Sequence, residues 1–124
     1  MLVIEDDADT RWMLADVLTS RGYDADTSFD GTQALKKLAG DPPDLVTLDL
    51  NMPLIDGGEV LERMRSDLRG ASVPVLILSG AMEAPEWARR FKNVSFLRKP
   101  FEVSQLMRRV EEVLPPRPNT LPPR

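Results

Sequence analysis

Short aliphatic and β-branched runs recur along the chain at Met1–Ile4, Tyr23–Thr27, Asp44–Leu48, Val73–Leu78 and Val94–Arg98, and they predict five strands. Between them the apolar positions change to helical spacing. Met13, Leu14, Val17 and Leu18 form the stripe of a first helix, with Gly22 placed to stop it. Ala34, Leu35 and Leu38 make a second face, closed by Gly40, and Val60, Leu61, Met64 and Leu68 a third. The stretch from Glu83 to Phe91 carries only a thin stripe and predicts a short fourth helix. A last helix over Val103–Leu114 sets Val103, Leu106, Val110, Val113 and Leu114 on one side.

Strands alternating with helices predict an α/β domain built on a parallel sheet. The third and fourth strands, LVTL and VPVLIL, are apolar on both faces, as interior parallel strands are. Ligands of open parallel sheets bind beyond the carboxyl ends of the strands. There the sequence places Glu5 and Asp6 after strand one, Asp49 after strand three, Ser79 after strand four and Lys99 after strand five, with nothing comparable after strand two. Three acids on one edge repel one another unless a cation joins them. Magnesium, a hard ion that accepts few carboxylates and shares ligands with phosphates, suits such a set, and manganese has the same taste for oxygen. Asp6 and Asp49 are the expected direct ligands, Glu5 holds a bound water, and the Asn51 carbonyl completes the shell. Asp49 is then placed as a nucleophile toward a phosphoryl group, with Lys99 and the Ser79 hydroxyl on its other oxygens. Each residue alone is commonplace at a strand end; the four positions in this order are not.

Composition narrows the chemistry. The 124 residues include no Cys and no His, which excludes thiolate chemistry, imidazole metal sites, a Ser-His-Asp triad and a phosphohistidine of the chain's own. A net charge of −4 gives no broad attraction to nucleic acid or anionic membrane. Acids directly after Ile4 are foreign to a signal peptide and no apolar run reaches the length of a membrane span, so a soluble, cytoplasmic protein is expected. Five of the eleven prolines fall in the last ten residues, which predicts a folded unit over 1–114 and an extended or disordered tail or linker over 115–124.

The strings VIEDD, LDLNMPLIDG, VPVLILSG and LRKPF together resemble the receiver domain of two-component response regulators, over nearly the whole folded body. The resemblance implies a flavodoxin-like, doubly wound five-stranded sheet of order 2-1-3-4-5 with about five helices. It matches Asp49 to the phosphoacceptor, Glu5 and Asp6 to the acidic pair, Asn51 to the carbonyl ligand, Ser79 to the switch hydroxyl, Lys99 to the phosphate-binding lysine and Phe96 to the switch aromatic. It further implies a histidine kinase or histidine phosphotransfer protein as partner, a magnesium-dependent transfer that the domain assists, a cis Lys99–Pro100 bond and a responsive face of helix four, strand five and helix five. Trp12, with Arg11, lies on the first helix where receivers meet the donor bundle, and is expected as an interface anchor. Arg89, Arg90, Arg98, Arg108 and Arg109 gather on the responsive side and are expected to be a solvated face.

The chain departs from the family pattern between Ser79 and Lys99. That segment is slightly short and reads ARRFKNVSF where a Gly-Ala pair often stands, leaving Asn93 for the turn. A haloacid-dehalogenase-type phosphohydrolase also uses a strand-end Asp, but it needs a second Asp two residues on, where this chain has Asn51, and a cap insertion that is missing here. A dinucleotide site fails for want of a Gly-rich turn after strand one. No helix-turn-helix output segment is visible. The remaining alternatives are a receiver module of a larger hybrid histidine kinase and a receiver-like binding module that works without phosphorylation.

Overall fold

The computed structural model describes residues 1–67 and 70–114. Five strands, β1 (Leu2–Ile4), β2 (Asp26–Ser28), β3 (Val46–Leu48), β4 (Val75–Ser79) and β5 (Val94–Arg98), alternate with five helices, α1 (Ala8–Ser20), α2 (Gly31–Leu38), α3 (Gly57–Ser66), α4 (Ala84–Arg90) and α5 (Val103–Val113). All strand pairs are parallel, in the order β2-β1-β3-β4-β5. The expected fold class is therefore observed, and β3 and β4 are buried at every position.

Side chains alternate across the sheet into two separate cores. Leu2, Ile4, Val46, Leu48, Val75 and Ile77 point to the face covered by α2, α3 and α4, where they meet Ala34, Val60, Leu61 and Ala84. Val3, Leu76, Leu78 and Leu97 point to the opposite face and pack on Leu14 and Leu18 of α1 and on Leu106 and Val110 of α5. Helices on both faces are what a sheet of purely parallel strands requires.

Several boundaries and stripes differ from the sequence expectation. β2 begins at Asp26 rather than Tyr23, because Tyr23 and Ala25 pack against the α1/α5 core and the hydroxyl of Tyr23 donates to the Leu114 carbonyl at 3.0 Å. In α1 the buried side is Leu14, Ala15 and Leu18, and Met13 is exposed. In α5 Met107 takes the place expected of Val103 and Val113, both of which face outward. α3 ends at Ser66, so Leu68 of its expected stripe lies outside the described residues, as does the 115–124 tail. Short polar caps start three helices: the Asp7, Asp30 and Asp56 carboxylates accept the backbone N–H of Thr10, Gln33 and Glu59. α4 has only seven residues, in agreement with its thin stripe, and Asn93 makes the turn before β5 at φ 59°, a conformation asparagine tolerates.

Candidate functional site

β1 and β3 are direct neighbours with Ile4 opposite Leu48, so the next residues of both strands, Glu5 and Asp49, emerge side by side. Backbone bonds hold that register to the end: Asp49 N–H donates to the Ile4 carbonyl at 3.0 Å, and Glu5 N–H to the Ser28 carbonyl at 3.0 Å. Carboxylate oxygens of Glu5, Asp6 and Asp49 all lie within 4.8 Å of one another. Glu5 and Asp49 are buried, at 2% and 6% exposure, while Asp6 faces outward. An all-oxygen set with one open side fits a hard divalent cation that keeps part of its water.

Lys99 closes the site from β5. Its N–H donates to the Ser79 carbonyl at 3.2 Å, and the Lys99–Pro100 bond that follows is cis, as the resemblance implied. The ammonium lies 2.7 Å from Glu5 Oε1 and 3.8 Å from Asp49 Oδ2. Burial pushes the Glu5 carboxyl up from 4.5 to about 7; the bond from Lys99 opposes this, and the nearby Asp49 adds to it. Burial likewise raises the Asp49 carboxyl, against the attraction of Lys99. Burial thus works against negative charge on both acids, and the Lys99 ammonium works in its favour.

The surrounding loops brace this edge. Arg11 donates to the carbonyls of Glu5 at 2.9 Å and Asp6 at 3.3 Å, pinning the β1–α1 turn. Asn51 N–H donates to Asp49 Oδ1 at 3.2 Å. A Cβ on Gly57 would collide with the Asp49 carbonyl, so only glycine lets α3 start this close to the strand end. Gly58 gives the same close approach to the Trp87 ring of α4. Beside the acids opens a cavity of about 530 Å³, lined among others by Asp6, Asn51, Asp56, Glu83 and Trp87.

Thus Glu5, Asp6, Asp49 and Lys99 converge as the sequence suggests. Ser79 is fully buried at the end of β4, where its Oγ accepts the N–H of Ala81 at 3.0 Å. Phe96 is half-buried and packs against the α2–α4 core. Of the five arginines expected to form a solvated face, three have partners within the chain. Arg90 lies 4.4 Å from the Trp87 ring, Arg98 donates to the Ala81 carbonyl, and Arg109 to the Phe96 carbonyl. Trp12 is 57% exposed, whereas Trp87 packs against the core. β2 runs one residue past its expected end, to Ser28, whose buried hydroxyl has no partner among the described residues. A polar group therefore stands at the end of β2 as well, where the sequence pattern shows none. Nor does the sequence mark Trp87 as a wall of the site, since nothing in a helical stripe signals a ring that seats on a glycine of another helix.

Acids and a lysine gathered at the carboxyl ends of an open parallel sheet stand where doubly wound α/β domains bind their ligands. The chain belongs to the response regulator receiver domain family, whose sequence profile matches residues 1–111. It is a receiver of two-component signalling. It is 33% identical over 116 residues to the DNA-binding dual master transcriptional regulator RpaA of Synechocystis, an alignment covering 92% of this chain and 48% of that protein. It is 30% identical to hybrid signal transduction histidine kinase D of Dictyostelium discoideum, over 92% of this chain but 7% of the kinase. The chain therefore spans about half the length of the regulator and a small part of the kinase. Among solved structures, the chemotaxis response regulator CheY4 of Vibrio cholerae superposes with a TM-score of 0.84 at 28% identity, covering 91% of this chain and 96% of that one. Among the described residues, no helix is long and apolar enough to cross a membrane.

Proposed function

We propose that Asp49 accepts a phosphoryl group from a phosphohistidine of a partner histidine kinase or histidine phosphotransfer protein in the cytoplasm. The carrying observation is the buried Asp49 carboxylate, set beside Glu5 and Asp6 with Lys99 Nζ 3.8 Å away. An Asp49 oxygen forms the new O–P bond, the P–N bond to the donor imidazole breaks, and the electron pair leaves with that imidazole. With no histidine in the chain, the donor comes from another molecule. Magnesium, or manganese, held by Glu5, Asp6 and Asp49 with the Asn51 carbonyl, supplies charge neutralisation at the transferring group. Lys99 pairs with a phosphoryl oxygen once Glu5 releases it, and the Ser79 hydroxyl donates to another. The domain in this way assists its own phosphorylation and later hydrolysis. Ser79 and Phe96 then carry the change to the face of α4, β5 and α5. Exposed Trp12, next to the Arg11 brace, is suited to anchor the donor protein.

The likeness to a short stretch of a hybrid kinase supports a second setting for the same chemistry, that of a receiver module within a larger kinase. Incubation with acetyl phosphate and magnesium, followed by intact mass measurement, tests the phosphoacceptor. One added phosphoryl group in the wild type, absent from Asp49→Asn and absent without the metal, is the expected result. If neither phosphoryl nor beryllofluoride is taken up, Asp49 is not an acceptor and the domain is a binding module.

A further inference from the structure

The Ser79 oxygen is held in place in this arrangement. Ser79 Oγ accepts the buried N–H of Ala81, which folds residues 79–81 into a small turn at the end of β4. The other side of that turn is held from the neighbouring strand. Arg98 stands opposite Ser79 in the β4–β5 register, and its Nη1 reaches across to the Ala81 carbonyl at 3.2 Å. On the way the guanidinium passes over the Phe96 ring, 5.9 Å from its centroid. One side chain therefore touches both the turn that carries Ser79 and the aromatic expected to move with it. A charged donor on a carbonyl, packed over a ring, is among the stronger restraints a partly exposed residue can supply.

We propose that Arg98 is a positioning residue that holds the 79–81 turn and Phe96 in the unphosphorylated arrangement. The inference rests on Asp49 being the phosphoacceptor. In this switch the turn shifts as the Ser79 hydroxyl donates to a phosphoryl oxygen, and its Ala81 carbonyl is drawn from the guanidinium. Loss of that bond uncovers Phe96, so the two movements become one event. The restraint acts on the resting state only, and weakening it shifts the population toward the arrangement that binds the phosphoryl group.

The test compares beryllofluoride binding with magnesium present, by calorimetry, in the full chain and in Arg98→Ala and Arg98→Lys. Arg98→Ala is expected to bind about five- to tenfold tighter, the scale of an ordinary coupling between sites. Arg98→Lys, which keeps a charged donor, is expected to fall close to the wild type. A role confined to stability lowers the melting temperature of both variants and leaves the affinity unchanged; that outcome overturns the proposal. Acetyl phosphate labelling of the same samples separates the two ideas. Equal affinities with normal labelling remove the Arg98 restraint and leave the phosphoacceptor standing, whereas absence of labelling and of beryllofluoride binding in the wild type removes both.

Discussion

The centre of the sheet and the α4 side of the molecule are held in different ways. Around β1 and β3 every strand residue is buried, the acids emerge from adjacent interior strands, and backbone bonds, Arg11 and Lys99 fix the carboxylates from several sides. Around α4 the hold is thin. That helix has seven residues, one of them buried, and no side chain caps its first turn. What keeps it in place is Ala84 together with the Trp87 ring on Gly58, stacked on Phe91 at 6.2 Å and covered by Arg90. The candidate site thus sits at the fully buried centre of the sheet, and α4, the element expected to respond, buries only one of its own residues.

The contrast can be broken by mutation. Ile77→Ala removes a fully buried side chain from β4 and is expected to cost about 2–5 kcal/mol in urea unfolding. The acid site itself provides the next effect. Glu5 takes up a proton more readily folded than unfolded, so the folded state binds more protons between pH 4.5 and about 7. The Glu5 contribution to the stability of the metal-free protein should therefore be full below pH 4.5 and be lost as pH rises to about 7, by on the order of 3 kcal/mol across that window. Magnesium should restore it, and Glu5→Gln should flatten the profile. A metal-free stability that climbs through this window would contradict the burial of Glu5 as the dominant influence.

Trp87→Ala is expected to cost less, roughly 1–2 kcal/mol, because the ring is only half-buried. Its sharper signature is local. Amide exchange in α4 should quicken while that of β3 and β4 stays close to wild type; uniform acceleration would mean that the two regions unfold together. The smallest effect is a gain. Thr47 lies in β3 between Val3 and Leu76, and its buried hydroxyl has no partner among the described residues. Thr47→Val should stabilise the centre by about 1 kcal/mol, readable as a higher unfolding midpoint at constant slope.

Much of this molecule is legible in residue order alone. Alternating strand and helix patterns set the parallel class, the doubly apolar runs mark β3 and β4 as interior, and the acids, serine and lysine at strand ends name the site. Those features are local, because periodicity and the punctuation of a strand end need no knowledge of the partner element. Stripe membership is less secure. Met13, Val103 and Val113 have the right spacing but lie at the margins of their helices' buried faces, where the neighbour decides what is covered. The start of β2 differs from its expected place for a related reason: Tyr23 and Ala25 are apolar because they pack on α1 and α5, not because they pair with β1.

Distances between residues far apart in the chain belong to the tertiary structure alone. The sequence determined that Glu5, Asp49 and Lys99 stand at strand ends; parallel pairing decided that Lys99 rests on Glu5 at 2.7 Å and stands farther, at 3.8 Å, from Asp49. It also decided that burial, more than charge, governs the Glu5 carboxyl, and that Arg98 reaches Ala81 over the Phe96 ring. Residue type fixes which groups can act. Only the packed strands fix which of them meet, since desolvation and hydrogen bonding depend on neighbours that the chain brings together from remote positions.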